Sequence, residues 1–417
     1  MLLSAAFDVG VIDLFVIVWG GHPRPPFELV CIFLFDLSFN VVILIALCHS
    51  KRSISIRSAN RNAGSRNLLF SAFASKSSYW APLNNSPLLR VSSSTMGRPF
   101  RLLILLLAIY ALVCAPAAIF LANSTLHAYH RPLPPSAESN MLQIVAGLQS
   151  HLTDVQIEAF DGASLLAWYI QPQHNNGDAV ILLHGLGDNR LGMQGYEEMF
   201  LNHGYSVLMP DARAHGLSGG IYPTYGLLER DDIRRWFGWI QHEHPPGCIF
   251  GFGESMGAAQ LLQALDSEPD FCAVAAESSF STFREIGYDR MGQQFHAGPW
   301  VGRSILRPVV EIALAYTRWK YHLDLARVSP ESAVAQTRVP VLLIHGQVDG
   351  NIPVRHSRGI KFANPEVVLW EVPGADHCGA ISAAPAELER RVTGWFVAHH
   401  HSIPQLSISA GHLTPAR

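Results

Sequence analysis

Short, continuous apolar runs recur along the last two thirds of this chain. They are Ala179–Leu183, Tyr205–Pro210, Cys248–Phe250, Ala273–Ala276, Val339–Gly346 and Val367–Val372. Runs this short and this uniformly apolar predict strands buried on both faces, as in a parallel sheet. Between them the period lengthens to that of a helix. Leu191 to Asn202 predicts one helix. Tyr225 to His242 predicts another, with Ile233, Trp236, Phe237 and Ile240 on one stripe. Pro385 to His399 predicts a last helix that turns Leu388, Val392, Trp395 and Phe396 inward. Ahead of these, Val155–Phe160 and Ser164–Ile170 flank Asp161-Gly162, a hairpin turn signal. The pattern predicts an α/β domain over residues 151–401, with a mostly parallel sheet, flanking helices and an antiparallel entry.

One connection is too long. Ser281 to Arg338 places 58 residues between two strands, where a crossover helix needs about 10–15. The excess predicts a small helical cap over residues 281–338. It carries Phe283, Tyr288, Phe295, Trp300, Tyr316, Trp319 and Tyr321, which either line an apolar pocket or glue the cap to the sheet.

The front of the chain is different. Leu102 to Ala122 is 21 residues without a charge, enough to cross a bilayer as a helix. Ala115-Pro116-Ala117 resembles a signal-peptidase site, so a cleaved signal peptide is the alternative. The apolar run continues past it, which favours an uncleaved anchor. Lysine and arginine are dense before the run and sparse after it, which places the following domain on the extracytoplasmic side. Residues 96–131 are thus read as anchor or signal segment, 132–150 as linker and 402–417 as tail. Residues 49–95 are rich in Ser, Arg and Asn, and Met96 opens a start-like sequence. We therefore expect residues 1–95 to be a disordered or non-native extension, although Leu29 to Cys48 is apolar enough for a second membrane helix.

Composition agrees. The chain is 49% hydrophobic and only 15% charged, apolar for a soluble enzyme. A net charge of −3 gives no nucleic-acid signature. The six cysteines show no CxxC spacing, so neither a zinc site nor a disulfide framework is expected. Cys248 and Cys272 begin neighbouring strands and would pair in an exported domain, but two buried thiols is the preferred reading. His399-His400-His401 lacks partners at metal-site spacing and reads as exposed tail or weak adventitious metal binding.

The chemistry sits at the strand ends. Gly253-Glu254-Ser255-Met256-Gly257 is a G-x-S-x-G pentapeptide between a strand and a helix, where a sharp turn holds a serine hydroxyl exposed. Asp349 follows the Val339–Gly346 strand, and His377 follows the Val367–Val372 strand. Serine needs a base to take its proton, and the base needs a carboxylate to fix its tautomer. The N–H groups of Met256 and Leu186 would form an oxyanion hole. Glu277 is a rival acid, following the Ala273–Ala276 strand. His184, His215 and His345 precede glycines in tight turns and read as structural, and Asp376 either orients the His377 loop or is solvated.

Taken in order, His184-Gly185, Asp211-x-Arg213-x-His215-Gly216-x-Ser218, Gly253-x-Ser255-x-Gly257, His345-Gly346-x-x-Asp349 and Gly374-x-x-His377 resemble the α/β-hydrolase family. The serine-aminopeptidase-like and acylglycerol-lipase-like branch is the most similar. The resemblance covers roughly residues 150–400. It implies an α/β-hydrolase fold, with Ser255 as nucleophile, Asp349 as acid and His377 as base, and no metal or organic cofactor. The expected activity is cleavage of a carboxylic ester or thioester in a small-molecule substrate. Two alternatives stand beside it. One is a serine peptidase that captures a free amino terminus with Glu285, Asp289 or Glu311. The other is a membrane-anchored, non-catalytic binding protein on the same fold.

Overall fold

The computed structural model describes residues 98–266 and 270–400, and four strands within the first 48 residues. The chain divides into two compact units, Met1–Ala111 and Leu112–Arg417. The first contains β1 (Ala6–Val9), β2 (Ile12–Ile17), β3 (Glu28–Asp36) and β4 (Val41–Cys48), an antiparallel meander in sequence order. The apolar run Leu29–Cys48, considered above as a membrane helix, is therefore two strands. Asp36 and Asn40 break it in the middle, and β-branched residues crowd its second half, which suits strands. Four strands also lie within the segment expected to be a disordered extension; the rest of residues 1–95 lies outside the described residues, as does the 402–417 tail.

The apolar run before the hydrolase-like region forms α1 (Arg98–Leu126). It is the one helix among the described residues long and apolar enough to cross a bilayer. Most of its large side chains are exposed, including Leu106, Leu112, Val113 and Phe120. Cys114, Ala118, Ala122 and Leu126, four residues apart, form a narrow buried stripe. Residues 137–147, assigned above to a linker, form α2 (Ala137–Gly147).

The second unit is built on an eight-stranded sheet. Its strands are β5 (Ser150–Glu158), β6 (Ser164–Pro172), β7 (Ala179–Leu183), β8 (Ser206–Pro210), β9 (Ile249–Glu254), β10 (Ala273–Glu277), β11 (Val341–Gly346) and β12 (Val368–Val372). They lie in the order β12-β11-β10-β9-β7-β8-β6-β5. Only the β5–β6 and β6–β8 pairs are antiparallel; the other five are parallel. Within β7, Val180 and Leu182 face one core while Ala179, Ile181 and Leu183 face the other. That two-residue alternation lets a wholly apolar strand serve two helical layers. On one face α3 (Gln194–Asn202) and α12 (Pro385–Ala398) bring Phe200 and Phe396 together, with rings stacked 5.6 Å apart. On the other lie α4 (Glu229–Glu243), α5 (Met256–Ala264) and α10 (Arg355–Ala363).

Cys248 and Cys272 are joined as a disulfide, with 5.8 Å between their Cα atoms. This corrects the expectation of two free thiols. β9 and β10 are adjacent and parallel, and the Cys272 N–H donates to Ile249 O at 3.0 Å, so the strand pairing itself brings the sulfurs together. The long connection contains α6 (Phe283–Gln294), α7 (Pro299–Arg303), α8 (Arg307–Lys320) and α9 (Pro330–Val334). The last packs on α5 and α10 in the body of the fold, so the cap is α6 to α8 and is narrower than residues 281–338. Its inner side joins Leu126, Tyr225, Met256 and Phe280 in a third apolar cluster with Ile286, Tyr288, Val310 and Leu314. Tyr288 is thus glue, whereas Phe295, Trp300 and Trp319 are exposed.

Candidate active site

β9 runs directly into α5 through Ser255. That residue has φ 51° and ψ −111°, a conformation L-residues rarely adopt and one that costs about 1–3 kcal/mol. Its surroundings enforce the turn. The Ser255 N–H donates to Glu277 O at 2.8 Å, and Ser255 O accepts from the Ala259 N–H at 3.0 Å. A Cβ on Gly257 would stand 2.2 Å from Leu183 O, and one on Gly253 would stand 2.7 Å from the Gly257 carbonyl carbon. Both glycines are therefore required for the helix to start this close to β7 and β9.

The structure brings Ser255, His377 and Asp349 together from three separate loops. His377 Nε2 lies 2.9 Å from Ser255 Oγ, and His377 Nδ1 lies 2.9 Å from Asp349 Oδ2. Asp349 also accepts the N–H groups of Asn351 at 2.9 Å and Ile352 at 2.8 Å through Oδ1. Burial would push its pKa up, but hydrogen bonds from His345 and His377 outweigh burial and hold the carboxyl well below the usual range. It is therefore ionised at neutral pH. An ionised acceptor takes the Nδ1–H of His377 and leaves Nε2 free to accept the serine proton.

The two expected oxyanion donors are differently supported. Met256 is the first residue of α5, where helix N–H groups lack intrahelical partners. Leu186 lies in the loop after β7, and that loop is tightly braced. The neighbouring Gly187 N–H donates to His215 Nε2 at 3.2 Å, and His215 Nδ1 donates to Arg213 O at 3.0 Å. Burial pushes His215 down to about 4, so it is a neutral acceptor here. His184 Nδ1 donates to Gly185 O at 2.8 Å, while its Nε2 accepts the Ala212 N–H at 3.0 Å. Beneath them, buried Asp211 accepts from Arg190 Nη2 at 2.7 Å and from the Arg190 and Leu217 N–H groups.

Other residues singled out above have definite partners. Glu277 does not touch His377; its Oε1 accepts the Ala380 N–H at 2.9 Å and its Oε2 receives Tyr196 Oη at 2.9 Å. Asp376 Oδ1 accepts the Gly350 N–H at 3.0 Å, tying the acid and base loops together. His345 is buried between Ser357 Oγ and Ile352 O, each at 2.7 Å. His399 is half-buried, with Nδ1 2.8 Å from Trp395 O, whereas His400 is exposed as expected of a tail, although its Nε2 lies 3.2 Å from Asp178 Oδ1. Asp178, Cys248 and His400 form the one metal-like grouping among the described residues, but the Cys248 sulfur is committed to the disulfide.

Sequence reading missed two features. Residues 129–131, assigned to the anchor segment, lie against the oxyanion loop. The Arg131 N–H donates to Gly187 O at 2.8 Å, and Asn189 Nδ2 donates to Arg131 O at 3.1 Å. Tyr196 is the second. It sits in an amphipathic helix like any core aromatic, and nothing in the spacing pairs it with Glu254 and Glu277.

Comparison with known proteins bears on the fold that carries these residues. Residues 180–391, just over half of the chain, match the model of the alpha/beta hydrolase family. The uncharacterized protein YqkD of Bacillus subtilis (strain 168) is 29% identical over 211 residues, covering 49% of this chain and 66% of that protein, just under two thirds of its length. The thermostable monoacylglycerol lipase of Bacillus sp. (strain H-257) is 24% identical over 210 residues, 46% of this chain and 81% of the lipase. Among solved structures, the Pyrococcus furiosus esterase Pf2001 superposes with a TM-score of 0.50 and 27% identity, over 61% of this chain and 94% of the esterase. Sheet order, the strand-to-helix turn at Ser255 and the family match coincide: the chain belongs to the alpha/beta hydrolase family.

Proposed function

We propose that the protein is a serine hydrolase that cleaves carboxylic esters or thioesters through Ser255, His377 and Asp349. The unbroken hydrogen-bond chain from Ser255 Oγ through His377 to Asp349 carries this reading. His377 Nε2 takes the hydroxyl proton as Oγ attacks the acyl carbon. The carbonyl oxygen gains negative charge, which the N–H groups of Leu186 and Met256 receive. Collapse of the tetrahedral adduct breaks the bond to the leaving group, to which His377 returns the proton. Water, deprotonated by the same imidazole, then attacks the acyl-serine and releases the acid. Asp349 stays ionised and stabilises the imidazolium in both halves.

The cap favours an ester over a peptide. The carboxylates that would capture a free amino terminus are engaged: Glu285 with Arg303 and Arg355, Asp289 with Arg355 and His356, Glu311 with Arg284 and Tyr288. The apolar cluster around Met256 offers an acyl chain a dry neighbourhood. A monoacylglycerol lipase and an esterase among the similar proteins point the same way. We further place α1 in a membrane with the catalytic domain on the extracytoplasmic side. The exposed leucines of α1 need an apolar solvent, and the Cys248–Cys272 disulfide suits an oxidising compartment. A chain-length series of p-nitrophenyl acyl esters tests the activity. Turnover lost in Ser255→Ala supports the reading; no turnover by the wild-type protein at any chain length counts against it.

A further inference from the structure

Behind the nucleophile, Tyr196 Oη lies 2.8 Å from Glu254 Oε1 and 2.9 Å from Glu277 Oε2. A phenol carries one hydrogen and can donate to only one of them. At the second contact it must accept, so that carboxyl must carry a proton. The remaining contact settles the direction. Glu277 also accepts the Ala380 N–H at 2.9 Å through its other oxygen, a second bond that favours its charged form, whereas Tyr196 is the hydrogen bond that acts on Glu254, so the proton is assigned to Glu254. The chain then reads Glu254 O–H to Tyr196 Oη, Tyr196 O–H to the Glu277 carboxylate, and the Ala380 N–H to the same carboxylate. Ala380 ends the His377 loop and opens a short helical turn, α11 (Ala380–Ala383). The backbone of Glu277 meanwhile accepts the Ser255 N–H. One residue thus holds the nucleophile by its main chain and the base loop by its side chain.

We propose that Glu254, Tyr196 and Glu277 are positioning residues that set His377 against Ser255, and that they do so only while Glu254 keeps a proton. The inference rests on the serine-hydrolase reading above. Burial, reinforced by the charge of Glu277, pushes Glu254 up to about 8. Burial likewise raises Glu277, against the hydrogen bonds from Ala380 and Tyr196. The charged and titratable groups acting on the pair come from every side. They are Tyr196 on α3, Asp188 in the loop after β7, His345 on β11, and His377 and Cys378 in the loop after β12. Once Glu254 ionises, two carboxylates flank one hydroxyl. Glu277 then loses its share of the only hydrogen or is repelled, and its grip on Ala380 loosens. Activity should fall as pH rises past about 8 without any change in the three reacting residues.

Full-length protein in detergent micelles and a p-nitrophenyl ester provide the test. The wild type should show an alkaline fall in kcat centred near pH 8, at nearly constant KM. Glu254→Gln, whose amide donates as the protonated carboxyl does, should keep kcat within about threefold at pH 7 and lose the alkaline fall. Tyr196→Phe and Glu277→Gln should lower kcat about tenfold while KM changes less than twofold. Infrared difference spectra give a readout independent of turnover. A protonated carboxyl band should titrate near pH 8 in the wild type and be missing in Glu254→Gln. An alkaline fall that survives Glu254→Gln, or no such band in the wild type, overturns the proposal. Absence of ester turnover with the band present would instead indict only the function on which it rests.

Discussion

Asp349→Asn separates the reacting geometry from its support. The amide oxygen can keep both backbone bonds that Asp349 now accepts, from Asn351 and Ile352. The other end becomes an NH₂ facing His377 Nδ1, where a carboxylate oxygen stood 2.9 Å away. Two donors cannot share one hydrogen bond, so the imidazole adopts the tautomer with hydrogen on Nε2. That nitrogen then points a hydrogen at Ser255 Oγ and cannot accept one. The structural loss is one charge-assisted hydrogen bond, about 1–3 kcal/mol. The catalytic loss should be on the order of 10³–10⁴ in kcat, equal to about 4–5 kcal/mol in the barrier. A melting curve and the kcat of a soluble ester, measured on the same preparation, distinguish the two. Glu277→Gln, which touches neither reacting nitrogen, should cost only about tenfold. A kcat for Asp349→Asn within tenfold of wild type, or a larger loss in Glu277→Gln, would refute the assignment of the acid.

Glu197 is fully buried with neither carboxyl oxygen hydrogen-bonded, and burial, with the neighbouring charge of Glu198, pushes it up to about 7. The folded state holds a proton that the unfolded chain releases near pH 4.5, so stability is greatest below that pH and is lost as pH rises through 7. Glu197→Met should raise Tm at pH 8, by about 2 kcal/mol of stability, and flatten this dependence; an unchanged Tm would contradict it. Gly257→Ala should abolish activity and lower folding yield, because its Cβ would meet Leu183 O at 2.2 Å; soluble protein with normal kcat would show that the turn can relax. Breaking the Cys248–Cys272 bridge, which spans 24 residues, should lower stability by about 3 kcal/mol in a reductant titration of Tm. Full-length protein should stay in membranes through alkaline washing, while a chain starting at Asn123 should be soluble and active; full-length protein recovered in the soluble fraction would contradict the anchor.

Much of the fold was legible because its strands are short and wholly apolar. Ala179–Leu183 needed no adjustment, and four other core strands moved by one or two residues. Such segments can only be buried on both faces. That Ser255, Asp349 and His377 lie together at one edge of the sheet was legible for the same reason, since each follows a strand that ends there. What failed depended on contacts distant in sequence. The Cys248–Cys272 pair depends on β9 lying beside β10, which cysteine spacing does not encode. The strands at Leu29–Cys48 were missed because an apolar run fits a helix as readily as a hairpin. Tyr196 is 58 residues from Glu254 and 81 from Glu277, and only the packing of α3 on the sheet brings its hydroxyl between them. The C-terminal edge of the cap was misplaced because the short segment Pro330–Val334 does not itself tell whether its apolar side covers the site or the sheet.

The central claim is that Ser255 is an activated nucleophile. A fluorophosphonate probe measures this directly, because it reacts covalently with serines whose proton a neighbouring base removes. Labelling of the full-length protein should map to the peptide containing Ser255. It should vanish in Ser255→Ala together with ester turnover, and slow strongly in His377→Ala. Undiminished labelling of Ser255→Ala, or ester turnover that survives that substitution, would contradict the account.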